Sequence, residues 1–461
     1  MLKRIAALLA VPMVLSAQNP VPSPALNPAP DAAQGRLISL DEAIRLAQQN
    51  SPAAIQARGN LRTRALAVRS AYAAFLPTIN TSAGLSKQFF ADGPQQWGHN
   101  NSISSSLTIF DPLRYYDVGE AKRNVDLAEA AEIQGLYSIA LQVKQQFFNA
   151  LNARESEAAA LSALEVANQS YRAATARVRA GSATTSDSLR ALITVGNRRI
   201  ELLSAQNSLR QANVALSRLV GTDFAVQADP SDTLDLTDAV IDSAALVVMV
   251  QRGPALEQER ARVELARYTV KSARTRYWPR LSSINISRQG NGVGFYGFDD
   301  RKFDKVATPD CPPLPATQPP GCGQDRVDAY SYNNSCCQLS VSMTLWDNFA
   351  REDQFVSAKI AAENAQATLR DQQLGQQQLF AQQIGTLRTT EAQMQVQRLS
   401  LAAAEEDLRI IQLRYELGAA TQLEVTTSQD ALNRARVSLI DTRYRYRLAK
   451  ANIESLIGRD L

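Results

Sequence analysis

The chain carries one sequence plan twice, and the two copies are offset by 237 residues (414 − 177). Each copy, Arg177 to Gly221 and Arg414 to Gly458, contains Arg-x-x-x-Gly, then x-Ala-Thr, an acidic residue, and a Pro-free run that ends in Leu-x-Gly. A duplication of this length indicates that each half is one structural unit that needs the other. Gly181 and Gly418 are typical of helix C-terminal caps, so each is expected to mark the tip of a helical hairpin.

The proline positions extend the repeat upstream of the tips. Pro52 and Pro77 correspond to Pro254 and Pro279 at an offset of 202 (254 − 52). The sequence therefore predicts two structural repeats with a connection between them: a first repeat at 37–221, a linker at 222–240 and a second repeat at 241–461.

The first residues have the features of an export signal. Two cations, an apolar run from Ile5 to Ala17 and small residues near Ala17 are typical of a secretory signal peptide. We expect this signal peptide at residues 1–17. A Pro/Ala-rich leader should follow at 18–36, extended and weakly ordered.

Long stretches without proline predict the helices. Residues 113–180 form one such stretch of 68 residues, and as a single helix it would be roughly 100 Å long, which no compact globule needs. A matching helix is expected at 348–417, with shorter return helices at 184–220 and 421–457. The helix that begins at Pro52 is expected to stack end to end with the first return helix, beside the long one.

Alternating residues after the two Pro junctions predict strands. From Ile79, and again from Ile103, apolar residues alternate with Ser, Thr, Asn and Gln, so each strand has one apolar and one polar face. Hairpins are expected at 77–110 and 279–346, the second 34 residues longer than the first (68 − 34). The edge of a soluble sheet would alternate in the same way, but these strands carry little bulk for a dry core. Aromatic residues near the far strand ends fit either an interface belt or loop packing: Phe89, Phe90, Phe295, Tyr296, Tyr330 and Tyr332.

Composition excludes several kinds of site. The formal charge of +4 comes from 49 basic and 45 acidic residues spread along the chain, so nothing indicates a nucleic-acid partner. His99 is the only histidine and is interpreted as a loop residue. The glycines at Gly292, Gly294 and Gly297 match a dinucleotide fingerprint formally, but no helix is predicted to open after them. We therefore expect no cofactor, no metal site and no enzymatic activity.

All four cysteines, Cys311, Cys322, Cys336 and Cys337, lie in the longer loop of the second hairpin. In an exported protein such a group is typical of disulfides that staple a surface loop, with three possible connectivities. A disulfide is expected to join Cys311 or Cys322 to one of the vicinal pair. Zinc binding is the alternative, but the spacing C-x10-C-x13-C-C does not match the usual zinc patterns.

Four strands with one apolar face imply an assembly. In lipid, the open edges of a four-stranded sheet would leave amide groups unpaired, and the smallest closed membrane barrel has about eight strands. Several chains must therefore combine, and a closed ring is the symmetry that joins them. The polar strand faces would then line a wet lumen.

With these features the chain resembles the TolC-type outer-membrane channel family. The resemblance covers about Leu37 to Gly458. It rests on the duplicated halves, the junctions Phe75-Leu-Pro77 and Tyr277-Trp-Pro279, and the Arg-x-x-x-Gly tips with an acid six residues after glycine. It implies a homotrimer whose strands form one barrel in outer-membrane lipid, continued by a periplasmic helical barrel. It also implies two partners, a periplasmic adaptor and an inner-membrane pump of the RND, ABC or MFS type.

The same resemblance implies a gate at the hairpin tips. Family members hold this end shut with tyrosine, arginine and acidic contacts, and here Tyr415 stands at the tyrosine position while Asp187 and Glu424 stand at acidic positions. The family arginine and a second pore acid are replaced by Ala420 and Thr427, which implies a constriction with one acid and a weaker latch. Asp187 and Glu424 are also placed to cap the N-termini of the return helices, so both roles stay open.

Other interpretations compete with an export channel. A periplasmic coiled-coil adaptor or structural protein that never enters the membrane would have the long helices but no alternating strands. Within the channel class, drugs, metals and proteins are all possible cargo. The absence of His- or Met-rich tracts argues mildly against a dedicated metal exporter.

Overall fold

The computed structural model describes residues 35–88, 96–222, 224–231, 243–278, 280–293, 332–333, 338–342 and 345–459. Residues 1–34, where the signal peptide and most of the leader are expected, lie outside the described residues. So do Pro279 and the cysteines Cys311, Cys322, Cys336 and Cys337. The expectations about them stay predictions. The described chain is mainly helical with a small β part, as the sequence predicts.

Eight helices and seven strands are described. The helices are α1 Leu40–Asn50, α2 Pro52–Ala73, α3 Pro112–Arg179, α4 Thr185–Val220, α5 Ser243–Val250, α6 Pro254–Thr275, α7 Ala350–Glu416 and α8 Gln422–Ile457. The strands are β1 Arg36–Ile38, β2 Thr78–Gln88, β3 Gln96–Phe110, β4 Val226–Ala228, β5 Arg280–Val293, β6 Tyr332–Asn333 and β7 Gln338–Ser342.

Side-chain caps and prolines fix where the first helices begin. The Ser39 hydroxyl accepts from the Glu42 amide at 3.3 Å at the start of α1, and the Ser51 hydroxyl accepts from the Ala54 amide at 3.2 Å at the start of α2. Asp111 caps α3 in the same way. Proline is the first residue of α2, α3 and α6, where it has no hydrogen bond to lose.

The long helices stand side by side in a single row. Towards the tips the neighbours are α4, α3, α8 and α7 in that order, and towards the strands they are α2, α3, α6 and α7. The two repeats meet between α3 and α8. There the ammonium of Lys144 and the carboxylate of Glu454 form an ion pair of 2.6 Å with both side chains nearly buried, and the Tyr137 hydroxyl donates to the Gly458 carbonyl at 2.8 Å.

In each repeat the two shorter helices are stacked end to end, α4 with α2 and α8 with α6. α4 ends at Gly221, where an added Cβ would lie 3.2 Å from the carbonyl oxygen of Asn50, just before α2 begins. α8 ends at Gly458, where an added Cβ would lie 3.0 Å from the ring of Pro254, the first residue of α6. Two uninterrupted helices, α3 and α7, thus run beside two interrupted ones.

A small outer layer covers these joints. β1 and β4 form a parallel two-stranded sheet, with Arg36 paired to Val226. Together with α1 they pack on α3 and α4 around Phe147, which is fully buried. α5 packs in the corresponding way on α7 and α8, against Phe380. We call the set of α1, β1, β4 and α5 the outer layer.

The strands form one sheet in the order β2, β3, β5 and β7, and the short β6 also pairs with β5. All of these pairs are antiparallel. The pairing of β3 with β5, for example Ser104 opposite Ser287, joins the hairpins of the two repeats. β3 begins at Gln96, seven residues before the alternation from Ile103 that predicts it (103 − 96). Strand order repeats helix order, because each strand is continuous with one helix of the row.

Candidate gate at the helical tips

The two long helices end in the same turn. Gly181 has φ 73° and Gly418 has φ 74°, both in the left-handed region. The amide that follows each glycine donates to the carbonyl five residues earlier, at 2.9 Å in the first tip and 2.7 Å in the second. This arrangement is the Schellman motif, which favours glycine because a Cβ is strained at that φ.

Asp187 and Glu424 cap the helices that leave these turns. Asp187 Oδ2 accepts from the Thr184 amide at 3.1 Å and from the Thr184 hydroxyl at 2.7 Å. Glu424 Oε2 accepts from the Thr421 amide at 2.7 Å, and the Glu424 amide donates to the Thr421 hydroxyl at 3.3 Å. The hydroxyl of Thr184, followed by its amide, lowers the pKa of Asp187. Within one chain, each acid therefore contacts its own turn, as in a capping box.

Arg177 and Tyr415 form a contact between the two tips. Arg177 Nη1 donates to the Tyr415 carbonyl at 3.2 Å, and its guanidinium carbon lies 4.0 Å from the centre of the Tyr415 ring. In the other copy of the repeat Arg414 replaces Arg177, and its guanidinium donates instead to the Ala419 carbonyl of its own turn at 3.3 Å. Val178 stands where that copy has Tyr415 (415 − 237). The sequence identified Tyr415 but missed Arg177, whose only signal is its place at the start of the repeated motif.

The positions that depart from the family pattern carry no charge. The Thr427 hydroxyl donates to the Leu423 carbonyl of its own helix at 2.9 Å. Ala420 lies in the turn itself, and Leu417 beside it is 84% exposed. The tip of the second repeat thus presents small and apolar side chains next to one capped acid.

Above the tips, α8 is joined to the first repeat by polar contacts. Gln429 Nε2 donates to Ser170 Oγ of α3 at 3.0 Å. Arg198 of α4 is nearly buried and forms an ion pair with Asp430 of α8, across the face of α3. These contacts hold the two hairpins together over the last turns before the tips.

The face of the helical row opposite the outer layer is polar. Between α3, α4 and α8 lies an open groove of about 1030 Å³ lined by side chains such as Asn149, Asn152 and Ser204. A second groove of about 580 Å³ between α7 and α8 is lined by Gln382 and Thr386 among others. At 100° per residue, these α3 and α7 positions point away from Phe147 and Phe380, which pack on the outer layer. One face of the row is therefore polar, whereas the other packs apolar side chains against the outer layer.

The two outer edges of the row are apolar and uncovered. α4 exposes large apolar side chains at spacings of four, seven and three residues, and α7 does so at spacings of three, eleven and three, so each set lies on one face of its helix. Those of α4 are Leu189, Ile193, Ile200 and Leu203, and those of α7 are Val396, Leu399, Ile410 and Leu413. Ile200 is 66% exposed and Leu399 is 74% exposed. This spacing is the pattern of a helix that packs against another helix.

Within the described part of the chain, no helix has a stretch apolar and long enough to cross a membrane. The same residues contain no group of three or more His, Cys, Asp or Glu side chains arranged to hold a metal ion.

Known proteins share both the sequence pattern and the fold. A family model described as outer membrane efflux protein matches residues 43–222 and 246–459. Protein CyaE of Bordetella pertussis is 25% identical over 406 residues, which are 85% of this chain and 78% of that protein.

Two solved structures have the same architecture. The outer membrane protein VceC of Vibrio cholerae aligns with a TM-score of 0.67 at 18% identity, over 91% of this chain and 96% of that chain. The open state of the MtrE outer membrane channel of Neisseria gonorrhoeae aligns with a TM-score of 0.68 at 16% identity, over 91% of this chain and 89% of that chain. At these identities the likeness establishes the fold alone.

Proposed function

Because the chain belongs to the outer membrane efflux protein family, we propose that it is the exit duct of a tripartite efflux or type I secretion system and works as a homotrimer. The protein is an outer-membrane channel with a periplasmic helical barrel, and it is not an enzyme. The proposal concerns its assembly, its partners and its gate.

The observation that carries the proposal is that, in the described part of one chain, the outer edges of both the sheet and the helical row are open. In the described sheet β2 pairs only with β3, and β7 pairs only with β5. In the helical row, α4 and α7 expose apolar stripes. Open strand edges are not tolerated in lipid, and exposed apolar stripes of this length are not left in water. Further copies of the chain would pair the open strand edges and also cover the apolar stripes.

The edges are suited to a head-to-tail ring. An α4 edge of one copy meets an α7 edge of the next, and β2 meets β7 in the same way, because strand order follows helix order. Three copies with four main strands each supply twelve strands (3 × 4), which exceeds the roughly eight that a closed membrane barrel needs. Each fully buried Leu or Ile contributes about 1.5–3 kcal/mol to such an interface.

In this ring the polar grooves face the lumen. The outer layer would block a duct if it lay inside, so it lies outside and the grooves of Asn, Ser, Thr and Gln lie within. Cargo would then enter at the tips and pass along a polar wall of amides and hydroxyls that also carries charged side chains such as Glu201, Asp430 and Arg434. A periplasmic adaptor and an inner-membrane pump would engage the tips, and drugs, metals and proteins all remain possible cargo.

The tips act as the gate in this proposal. The Arg177–Tyr415 contact ties the two hairpins of one chain together, and we call this pair the tip latch. Asp187 and Glu424 cap their helices and, in the ring, also bring carboxylates near the axis. Because capping uses one carboxylate oxygen of each, the capping and pore roles are compatible.

A membrane-free adaptor is the rival class, and the strands argue against it. β3 and β5 are 15 and 14 residues long, which exceeds the 9–11 residues that span an outer membrane. An adaptor hairpin has no use for such a sheet.

The assembly is tested by charge at one helix edge. Ile200→Asp should convert the detergent-solubilised trimer to monomer, because it places a carboxylate in the apolar seam between copies. Asn197→Asp places the same side chain three residues away, in the polar groove, and should leave the trimer intact. Mass by light scattering and conductance in planar bilayers are the measurements. A wild-type protein that is monomeric in detergent and forms no conducting pores would refute the proposed function.

A further inference from the structure

Basic residues line one face of each of the two helices that lead into the sheet. On α2 the face contains Arg58, Arg62, Arg69 and Tyr72, and on α6 the corresponding residues at an offset of 202 are Arg260, Glu264, Lys271 and Arg274. Spacings of four, seven and three residues keep each set on one face of its helix. Two basic positions recur in both copies, Arg58 with Arg260 and Arg69 with Lys271, whereas Glu264 corresponds to Arg62 and Arg274 to Tyr72.

Contacts at the end of each stripe that lies farther from the strands indicate which way the stripe faces. Arg58 Nη1 donates to the Gln49 carbonyl at the end of α1 at 3.4 Å. Arg260 Nη2 donates to the Gln251 carbonyl, just after α5, at 2.7 Å. Both stripes therefore lie on the side of the outer layer, which is the outside of the proposed ring. They do not face the lumen.

At the end of each stripe nearer the strands, the cations have no acidic partner among the described residues. α2 contains no Asp or Glu. On α6, Glu264 is already paired with Arg267 at 2.9 Å. Arg69, Lys271 and Arg274 are exposed, and none of the ion pairs among the described residues includes them. Acids near this level lie on the neighbouring helices, Asp117 and Glu120 on α3 and Glu352 and Asp353 in the first turn of α7. Burial, followed by Asp117, raises the pKa of Glu120.

Exposed aromatic residues mark the level at which the helices give way to strands. They lie at three of the four connections between helix and strand: Phe110, Tyr115, Tyr277, Trp278, Trp346 and Phe349. Trp278 is 61% exposed and Trp346 is 67% exposed. Aromatic girdles of this kind sit at the boundary between lipid tails and headgroups. The aromatics noted in the sequence, Phe89, Phe90, Phe295, Tyr296, Tyr330 and Tyr332, have no described side chains.

The cations lie within headgroup distance of this girdle. Arg69 and Lys271 are each four residues before the end of their helices, at Ala73 and Thr275, or about 6 Å below it. The headgroup layer of one leaflet is about 5–8 Å thick. Arg274 is closer still. The girdle thus places these three side chains at the phosphates of the periplasmic leaflet.

We propose that Arg69, Lys271 and Arg274 form a basic collar that binds anionic phospholipid headgroups in the periplasmic leaflet of the outer membrane. The proposal rests on the ring orientation given above. Its physical basis is the attraction between a basic segment and an anionic leaflet within about a Debye length. The collar would fix the depth and tilt of the barrel, and it would make anionic lipid part of the working assembly.

The test compares lipids on the detergent-solubilised trimer by native mass spectrometry. The wild-type protein should retain phosphatidylglycerol about tenfold more strongly than phosphatidylcholine. The variant Arg69→Gln/Lys271→Gln/Arg274→Gln should lose this preference. The matched control Arg172→Gln/Arg199→Gln/Arg388→Gln removes three exposed cations far below the junctions and should keep it. Inorganic phosphate at millimolar concentration should not displace the lipid, because the girdle holds its acyl chains.

Several results would overturn the collar. They are an equal affinity of wild-type protein for the two lipids, an unchanged preference in the collar variant, or displacement of the lipid by free phosphate. Trimer mass and planar-bilayer conductance of the same samples test the channel independently, so the collar can fail while the proposed function stands. If the Gln variant does not assemble, Arg69→Lys/Lys271→Arg/Arg274→Lys keeps the charges and should retain the preference.

Discussion

Arg177 and Tyr415 show, at the scale of single residues, how duplication creates a contact that only one copy can make. The aromatic ring is present in the second tip and replaced by Val178 in the first. Arg177 therefore reaches across to a ring, whereas Arg414 bonds within its own turn. A gate built this way has one latch inside each chain.

Loosening the tip latch is expected to open the channel. Tyr415→Leu removes the cation–π contact but keeps the backbone carbonyl that accepts from Arg177, whereas Arg177→Gln removes both. An exposed cation–π pair contributes about 0.5–1 kcal/mol, which corresponds to roughly a two- to fivefold rise in open probability. Single-channel recording measures this open probability. Arg414→Gln is the repeat-matched control and should behave like wild type.

Two substitutions separate the roles proposed for Glu424. Glutamine is tolerated at this position of a capping box, so Glu424→Gln removes the charge and keeps the cap, whereas Glu424→Ala removes both. If the carboxylate lies near the pore axis, both variants should reduce cation selectivity equally, while only alanine lowers stability, by about 1 kcal/mol. Selectivity that stays at the wild-type value in both variants would leave Glu424 as a cap alone.

The lowered pKa of Asp187 predicts a pH dependence at the first tip. A carboxylate with a lowered folded-state pKa stabilises the folded state above its ordinary range, and that contribution is lost as the pH falls through the folded-state value. We expect amides in the first turn of α4 to exchange with solvent faster, relative to the rest of the helix, as the pH is lowered below about 4. Asp187→Asn should abolish this difference.

At the scale of elements, the sequence predicts what is periodic and misses what depends on contacts distant in the chain. The helices, the tips at Gly181 and Gly418 and the alternating strands follow from local spacing. The β1–β4 sheet was missed because three-residue strands carry no periodicity. The pairing of β3 with β5 was missed because no local pattern specifies which hairpins are neighbours. The contact of Arg177 with Tyr415 was missed for the same reason, because the two residues are 238 positions apart in the sequence.

The end-to-end joint between α8 and α6 should resist even a small addition. A Cβ at Gly253 would collide with the Leu456 carbonyl oxygen, which is backbone and cannot turn aside. Gly253→Ala is therefore expected to lower the melting temperature of the trimer, by a destabilisation of about 1–3 kcal/mol per chain. Gly135→Ala in α3 meets nothing within 4 Å and should stabilise by up to about 1 kcal/mol.

At the scale of the whole molecule, the cysteine loop stays a prediction from sequence. The helical tips lie in the periplasm, so the far ends of the strands, with Cys311, Cys322, Cys336 and Cys337 beyond them, should face the exterior. We expect alkylation of the purified, unreduced protein to label fewer than four thiols. Labelling of all four would exclude the staple, and access to this loop only from the periplasm would contradict the orientation.

The joints covered by the outer layer also divide the molecule for unfolding. α3 and α7 cross the level of the joints without interruption, but their partners change there, from α4 to α2 and from α8 to α6. We therefore expect the half of the molecule that carries the tips to lose its structure without the half that holds the strands. The links between them are the two continuous helices, the end-to-end contacts at the joints and the outer layer. Native-state hydrogen exchange should show two cooperative units. Their boundary should fall within α3 near Tyr137, whose hydroxyl contacts Gly458 at the joint between α8 and α6, so protection should change partway along a single unbroken helix.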